Sequence, residues 1–190
     1  MKFFTPLKTD WSFHKTNKPY AMHTLEKLPE STLKIRFPDC DPFNHLNNSK
    51  YIDYMINARE DQLLAHYDFD IYKLAREKGV SWVVAQNQIA YLAPAVLMET
   101  VSIQTRLLSY EDKSLLFEAV MWNEHKTSVK AMLWSKLVHF NFSTKRSEVH
   151  AADLMELFQQ VVNPVEGVSS FEERLKELKV QLSVIASGTK

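Results

Sequence analysis

The fold turns on residues 37–67, FPDCDPFNHLNNSKYIDYMINAREDQLLAHY. The opening part is dense in Pro, Asp and Asn, which is turn chemistry. The remainder has a helical period. Tyr51, Met55, Ala58 and Ala65 recur on one side, Ile52, Ile56, Leu63 and Leu64 widen the apolar face, and Gln62 interrupts it. This pattern predicts a long helix buried along one broad side, with Asn47 or Asn48 suited to cap its start.

Working outward, TLKIRF at 32–37 alternates in character and reads as a strand that Pro38 ends. A short second helix is expected near 70–78, stopped by Gly79. From residue 80 the period becomes two. VSWVVAQNQIAYLA, TVSIQTRL, SLLFEAVMW and TSVKAMLWSKLVHFNF are four strands, joined by turn-like connectors around Pro94, Glu111–Asp112 and Asn123–His125. Their short spacing predicts an antiparallel meander. Val101, Ile103, Thr105 and Leu107 share one face of the second strand, and Val129, Ala131, Leu133 and Leu137 share one face of the fourth. The tail predicts two more helices. One lies near 151–162. The other starts around Ser170, with a Ser170–Glu173 capping box and an apolar stripe of Phe171, Leu175, Leu178 and Leu182. A strand, a long helix and four strands give an α+β fold in which an antiparallel sheet wraps around a central helix. The domain division is an N-terminal extension at 1–30, a core domain at 31–145 and a C-terminal helical extension at 146–190.

The chain has 190 residues, enough for one domain with a real core. Lys plus Arg equals Asp plus Glu at 23 each, so nothing global favours a nucleic-acid partner. Cys40 is the single cysteine, which excludes an intrachain disulfide and suits a reducing compartment. No apolar run has signal-peptide or membrane-span length. A soluble cytoplasmic protein is the expectation.

The chemistry concentrates in residues 39–51. Asp39, Asp41 and His45 stand in a loop that feeds a helix N-terminus, where unpaired N–H groups and partial positive charge can stabilise an oxyanion. A carboxylate just before it can attack a thioester carbonyl or activate water against it. Cys40 is a poor nucleophile between two carboxylates, because nearby negative charge disfavours its thiolate. Asp39, Asp41 and His45 could also ligate a metal, but no second histidine lies near, so no metal is expected. Asp39 reads as a loop-stabilising residue.

FPDCDP followed by NHLNNSKYIDYM resembles the hotdog-fold acyl-CoA thioesterases of the 4-hydroxybenzoyl-CoA thioesterase type. It is also similar to the plant-type acyl-ACP thioesterases, which carry a like His-hydrophobic-Asn-Asn run. YLAP at 91–94 and TVSIQTRLL fit the same pattern, so the resemblance spans residues 31–145. It implies hydrolysis of an acyl thioester carried on CoA or acyl carrier protein, with no cofactor beyond that carrier. It also implies a homodimer or homotetramer with active sites between subunits. Asp41 matches the catalytic carboxylate, as nucleophile or general base. His45 matches the family histidine, the amide near Asn48 the carbonyl-polarising group, and Tyr51 a tyrosine of the first helical turn. Asn47, Trp82, Lys113 and Ser114 are further substrate-binding candidates, with Arg106 and Tyr110 behind them. Two departures stand out: Asn44 replaces the Gly that many CoA-type members have before the histidine, and Phe43 replaces the Asn of the acyl-ACP type. Alternative readings are a hotdog hydratase or dehydratase, whose Asn and His spacing this loop does not match, and a non-catalytic acyl-CoA binding module.

Overall fold

The computed structural model describes residues 25–188, so most of the expected N-terminal extension lies outside the described residues. Strand β1 (Glu30–Lys34) leads through a 3-10 turn (Phe37–Asp39) into helix α1 (Asn48–Tyr67) and helix α2 (Ile71–Lys78). Four long strands follow: β2 (Val80–Tyr91), β3 (Thr100–Tyr110), β4 (Ser114–Asn123) and β5 (Val129–Asn141). A short β6 (Arg146–Ser147) then precedes helices α3 (Ala152–Val161) and α4 (Phe171–Gly188). Gly79 stops α2 at φ +69°, a left-handed position at which a side chain would be strained. The first strand ends earlier than its alternation predicts. Ile35 bonds to the 98–99 turn instead, and the chain then bends through Pro38.

The sheet is antiparallel, in the order β1-β3-β4-β5-β2. The expected meander therefore holds only for β3, β4 and β5. β2 pairs with β5 (Val80 opposite Asn141, Tyr91 opposite Ala131), because β1 already occupies the free edge of β3. The connection at 92–99 must then cross the width of two intervening strands, on the order of 14 Å at ordinary strand spacing. Its eight residues reach that far when extended.

Three bulges curl the sheet. The register slips between Val84 and Gln86, between Leu107 and Ser109, and between Met121 and Trp122. Each extra residue bends its strand and tightens the local twist. The last slip also corrects a sequence expectation. Ala131, Leu133 and Leu137 face inward as predicted. Passing Lys130 as the extra residue turns Val129 to the other face, where it packs with Trp122 and Met132.

The concave face wraps α1. Tyr51, Met55 and Ala58 are buried against Val101, Ile103, Phe117, Ala119 and Ala131, and the small residues let the helix approach closely. The buried stripe of α1 continues to Gln62 rather than to Ala65 and Leu64, which are exposed. Gln62 does not break the face because its amide is satisfied inside. Its Nε2 donates to Ser31 Oγ at 2.9 Å and to the Ile103 carbonyl at 3.0 Å, and its Oε1 accepts from Thr105.

The two C-terminal helices cover opposite faces. α3 places Leu154 and Phe158 in the same inner core as α1. α4 covers the convex face, with Phe171 and Leu178 buried on Val120, Trp122 and Met132 and with Leu175 and Leu182 beside them. Its start departs from a simple capping box: Ser170 Oγ accepts the Glu173 N–H, whereas the Glu173 carboxylate reaches back to Ser169. Beneath α4, the carboxylate of Glu118 is 1% exposed and is gripped by Arg174 through both Nε (2.8 Å) and Nη2 (3.0 Å). Arg106 lies 3.3 Å from the same carboxylate, and Trp134 Nε1 donates to it at 2.9 Å.

Candidate active site

The loop before α1 is a miniature hairpin. Cys40 bridges to Leu46, and the Asp41 N–H donates to the His45 carbonyl at 2.7 Å. Asp41 Oδ1 accepts the N–H of Phe43 at 2.9 Å and that of His45 at 3.0 Å. One carboxylate oxygen is thus anchored by the loop's own backbone, and no hydrogen bond to Oδ2 is found among the described residues. Asn44 adopts φ +63° between them. That is the left-handed conformation glycine favours and asparagine tolerates better than most residues. The Asn44 departure therefore preserves the backbone path that a glycine would allow.

The hairpin is seated on the 92–99 connection. Leu46 N–H donates to Ala95 O at 2.8 Å, Leu97 N–H donates to Asn44 O at 2.9 Å, and His45 bridges to Val96. Tyr51, buried in the first turn of α1, accepts the Ala95 N–H on its hydroxyl at 2.9 Å. Burial pushes the Tyr51 phenol above its ordinary pKa, so the group stays neutral.

The helix opening leaves one donor spare. The Asn47 side chain caps Ser49 N–H at 3.1 Å, the Asn47 N–H donates to Asp39 O at 2.9 Å, and the Lys50 N–H donates to Asn47 O at 2.8 Å. The Asn48 N–H donates to no group among the described residues, although the Asn48 carbonyl accepts from the Tyr91 hydroxyl at 2.9 Å. Asp39 is held in a supporting role: Tyr54 Oη donates to it at 2.7 Å and Lys50 lies 3.8 Å away. Burial, followed by the charges of Asp39 and Asp41, raises the Cys40 thiol pKa, so a thiolate nucleophile is disfavoured there.

The structure brings Asp41, His45, Asn47, Asn48 and Tyr51 into one segment and leaves the other candidates elsewhere. Trp82 sits on β2 in the inner core, with Nε1 donating to His150 Nε2 at 3.0 Å. Lys113 is exposed in the β3–β4 turn, and the buried Ser114 hydroxyl donates to Glu111 at 2.6 Å. Arg106 faces Glu118 beneath α4. Tyr110 packs on Phe158. Sequence reasoning missed Tyr54 and Tyr91, which support the loop and the helix opening. The available signals were the spacing of Tyr54 to Tyr51 and the place of Tyr91 in YLAP at 91–94.

Comparison with known proteins bears on the family and the fold. A family model described as the Thioesterase-like superfamily matches residues 35–172. The long-chain acyl-CoA thioesterase FadM of Escherichia coli (strain K12) is 26% identical over 133 residues, 70% of this chain and 98% of FadM. The acyl-CoA thioester hydrolase YbgC of Escherichia coli O6:H1 is 28% identical over 95 residues, 50% of this chain and 69% of YbgC. The solved structure of SAV2348 from Staphylococcus aureus, a complex with CoA, shares the fold with a TM-score of 0.67 at 13% identity, covering 78% of this chain and 92% of that one. The curled sheet around α1 and these matches together show that the chain belongs to the Thioesterase-like superfamily and is a hotdog-fold thioester hydrolase.

Proposed function

We propose that the chain hydrolyses acyl-CoA, with Asp41 acting on the thioester carbonyl while the Asn48 N–H polarises it. The observation that carries this reading is the pairing of an anchored carboxylate with a spare helix-terminal donor. Asp41 Oδ1 is fixed by two backbone amides four residues or fewer away, and the Asn48 N–H is unspent. In the general-base form, Asp41 takes a proton from water as the water oxygen bonds to the carbonyl carbon. The oxyanion forms at Asn48, the C–S bond breaks, and the thiolate leaves with a proton returned through Asp41 or His45. In the nucleophilic form Asp41 itself bonds the carbonyl carbon, the C–S bond breaks and the thiolate leaves, and water then opens the mixed anhydride to release the acid and restore the Asp41 carboxylate. Neither route requires a further cofactor. The names of FadM and YbgC favour CoA over acyl carrier protein as the carrier. Lys113, exposed beside the β3–β4 turn, is a candidate contact for CoA phosphates.

The same reading includes a homodimer. β2 is an outer strand of the sheet, and Val83 and Val84 are exposed on it. An open, apolar strand edge is normally covered. Phe43 at the tip of the Asp41 loop is 77% exposed and Phe37 is 75% exposed, which suits a site completed by a second subunit.

Thiol release from a panel of acyl-CoA and acyl-ACP substrates tests the activity. Asp41→Asn keeps the shape and the Oδ1 anchor while removing the charge. Its kcat should fall roughly 10²-fold or more. Near-normal turnover by that variant eliminates the role assigned to Asp41.

A further inference from the structure

The YLAP run at 91–94 closes β2 and meets the opening of α1. Its tyrosine makes two contacts there. Tyr91 Oη donates to the Asn48 carbonyl at 2.9 Å, and the Tyr91 ring meets Tyr51 edge-on, with centroids 5.2 Å apart and planes at 74°. Tyr51 is itself fixed by the Ala95 N–H on its hydroxyl at 2.9 Å. The two phenols therefore tie the first turn of the helix to the exit of β2 and to the connection that follows.

Asn48 is the first residue of the helix, and Asn47 before it lies outside helical geometry at ψ 136°. Two peptide planes meet at Asn48. The plane before it carries the spare N–H, and the Lys50 N–H holds the carbonyl of that plane, on Asn47, at 2.8 Å. The plane after it carries the carbonyl that Tyr91 holds. The direction of the spare N–H thus depends on the helix on one side and on a side chain from the sheet on the other. Helix ends fray, because their terminal groups lack intrahelical partners. A donor arriving from outside the helix restricts that movement at Asn48. Burial pushes the Tyr91 phenol above its ordinary pKa, so the hydroxyl keeps the proton it donates.

We propose that Tyr91 is a positioning residue for thioester hydrolysis: its hydroxyl holds Asn48 so that the spare N–H meets the oxyanion as it forms. This rests on the acyl-CoA hydrolase reading above. Tyr91 acts through Asn48 and makes no bond to the reacting atoms. An oxyanion donor is most effective when set before charge develops, since one that must swing into place spends part of its effect on reorganisation. The expected signature is lost turnover with unchanged ground-state binding.

Hydrolysis of dodecanoyl-CoA by the full chain and by Tyr91→Phe tests this. The variant keeps the ring contact with Tyr51 and removes one neutral hydrogen bond, so kcat should fall about fivefold. KM should stay within about twofold. Inhibition by S-dodecyl-CoA, a thioether without the carbonyl, should be equal in the two proteins. The 15N order parameter of the Asn48 amide, which needs no turnover, should be lower in Y91F. Wild-type kcat in Y91F, or an equal order parameter, overturns the proposal. Thioether inhibition weakened as much as turnover makes Tyr91 a plain binding contact and also overturns it. So does a thermal melt that falls in step with turnover, since the hydroxyl would then serve the fold alone. Lost turnover in Asp41→Asn with wild-type turnover in Y91F leaves the proposed function standing and sinks Tyr91 alone. No acyl-CoA hydrolysis by the wild type sinks the function instead, while the order parameter still judges the hold on Asn48.

Discussion

The hydroxyl of Tyr51 accepts the backbone N–H of Ala95 at 2.9 Å, tying the first turn of α1 to the connection that seats the Asp41 hairpin. Ala95 is fully buried and its carbonyl in turn holds Leu46. Tyr51→Phe keeps the ring contact with Tyr91 and orphans the Ala95 amide. A buried amide without an acceptor costs about 1–3 kcal/mol. Urea unfolding should show that loss, and kcat should fall more than KM rises, because the Asp41 loop loses its footing on the helix. Unchanged unfolding midpoints in Y51F contradict this linkage.

Asn44 provides a sharper test of backbone geometry. At φ +63°, glycine relieves strain and alanine adds it. Asn44→Gly should retain wild-type turnover. Asn44→Ala should lose roughly 1–2 kcal/mol of stability, and its turnover should drop as Asp41 shifts relative to Asn48. If alanine and glycine behave alike, the left-handed residue does not shape the loop.

Glu118 clamps α4 to the convex face through Arg174. Glu118→Gln removes the buried carboxylate of Arg174 and leaves it only Glu177, 2.8 Å from Nη1, so the loss should approach but not reach the about 3–5 kcal/mol of a fully stranded buried charge. Limited proteolysis should then cut sooner in the 163–170 connection. Adding Arg174→Met to E118Q should recover part of the stability, since the buried end of the guanidinium no longer lacks its acceptor.

His150 makes the inner core sensitive to acid. Its Nδ1 faces the Glu111 carbonyl at 3.0 Å and its Nε2 accepts from Trp82, an arrangement that requires the neutral ring. Burial, and then the neighbouring His139, lower its pKa below 6.5. A base with a depressed native pKa binds fewer protons folded than unfolded. Its stabilising effect is therefore complete above pH 6.5 and declines as the pH falls from there through the lower native value. Melting temperature should drop across that acidic window and Trp82 emission should change with it. His150→Gln should flatten the drop, and a variant with an unaltered pH profile would exclude His150 as its origin.

The parts of the fold legible in the sequence were those fixed locally. Turn residues at 38–48, the period of α1, Gly79 and the alternation of β3 each act within a few neighbours. The strand order was not legible, because placing β2 beside β5 depends on β1 reaching β3 first. The inward face of Val129 was misread because a one-residue bulge inverts alternation, and Gln62 because its partners lie on β1 and β3. At the candidate site, Asp41, His45 and Asn48 were singled out through the resemblance of the 37–54 segment to the thioesterase family. Tyr91 did not stand out, since it reaches the Asn48 carbonyl from β2, distant in sequence. Nor did the adjacency of His139 and His150, which follows from the reversal after β5.

Because α4 roofs the convex surface, two such sheets cannot stack back to back without first displacing that helix and breaking the Glu118 grip. The buried ion pair that fastens the C-terminal helix therefore also decides whether that surface can open to anything else.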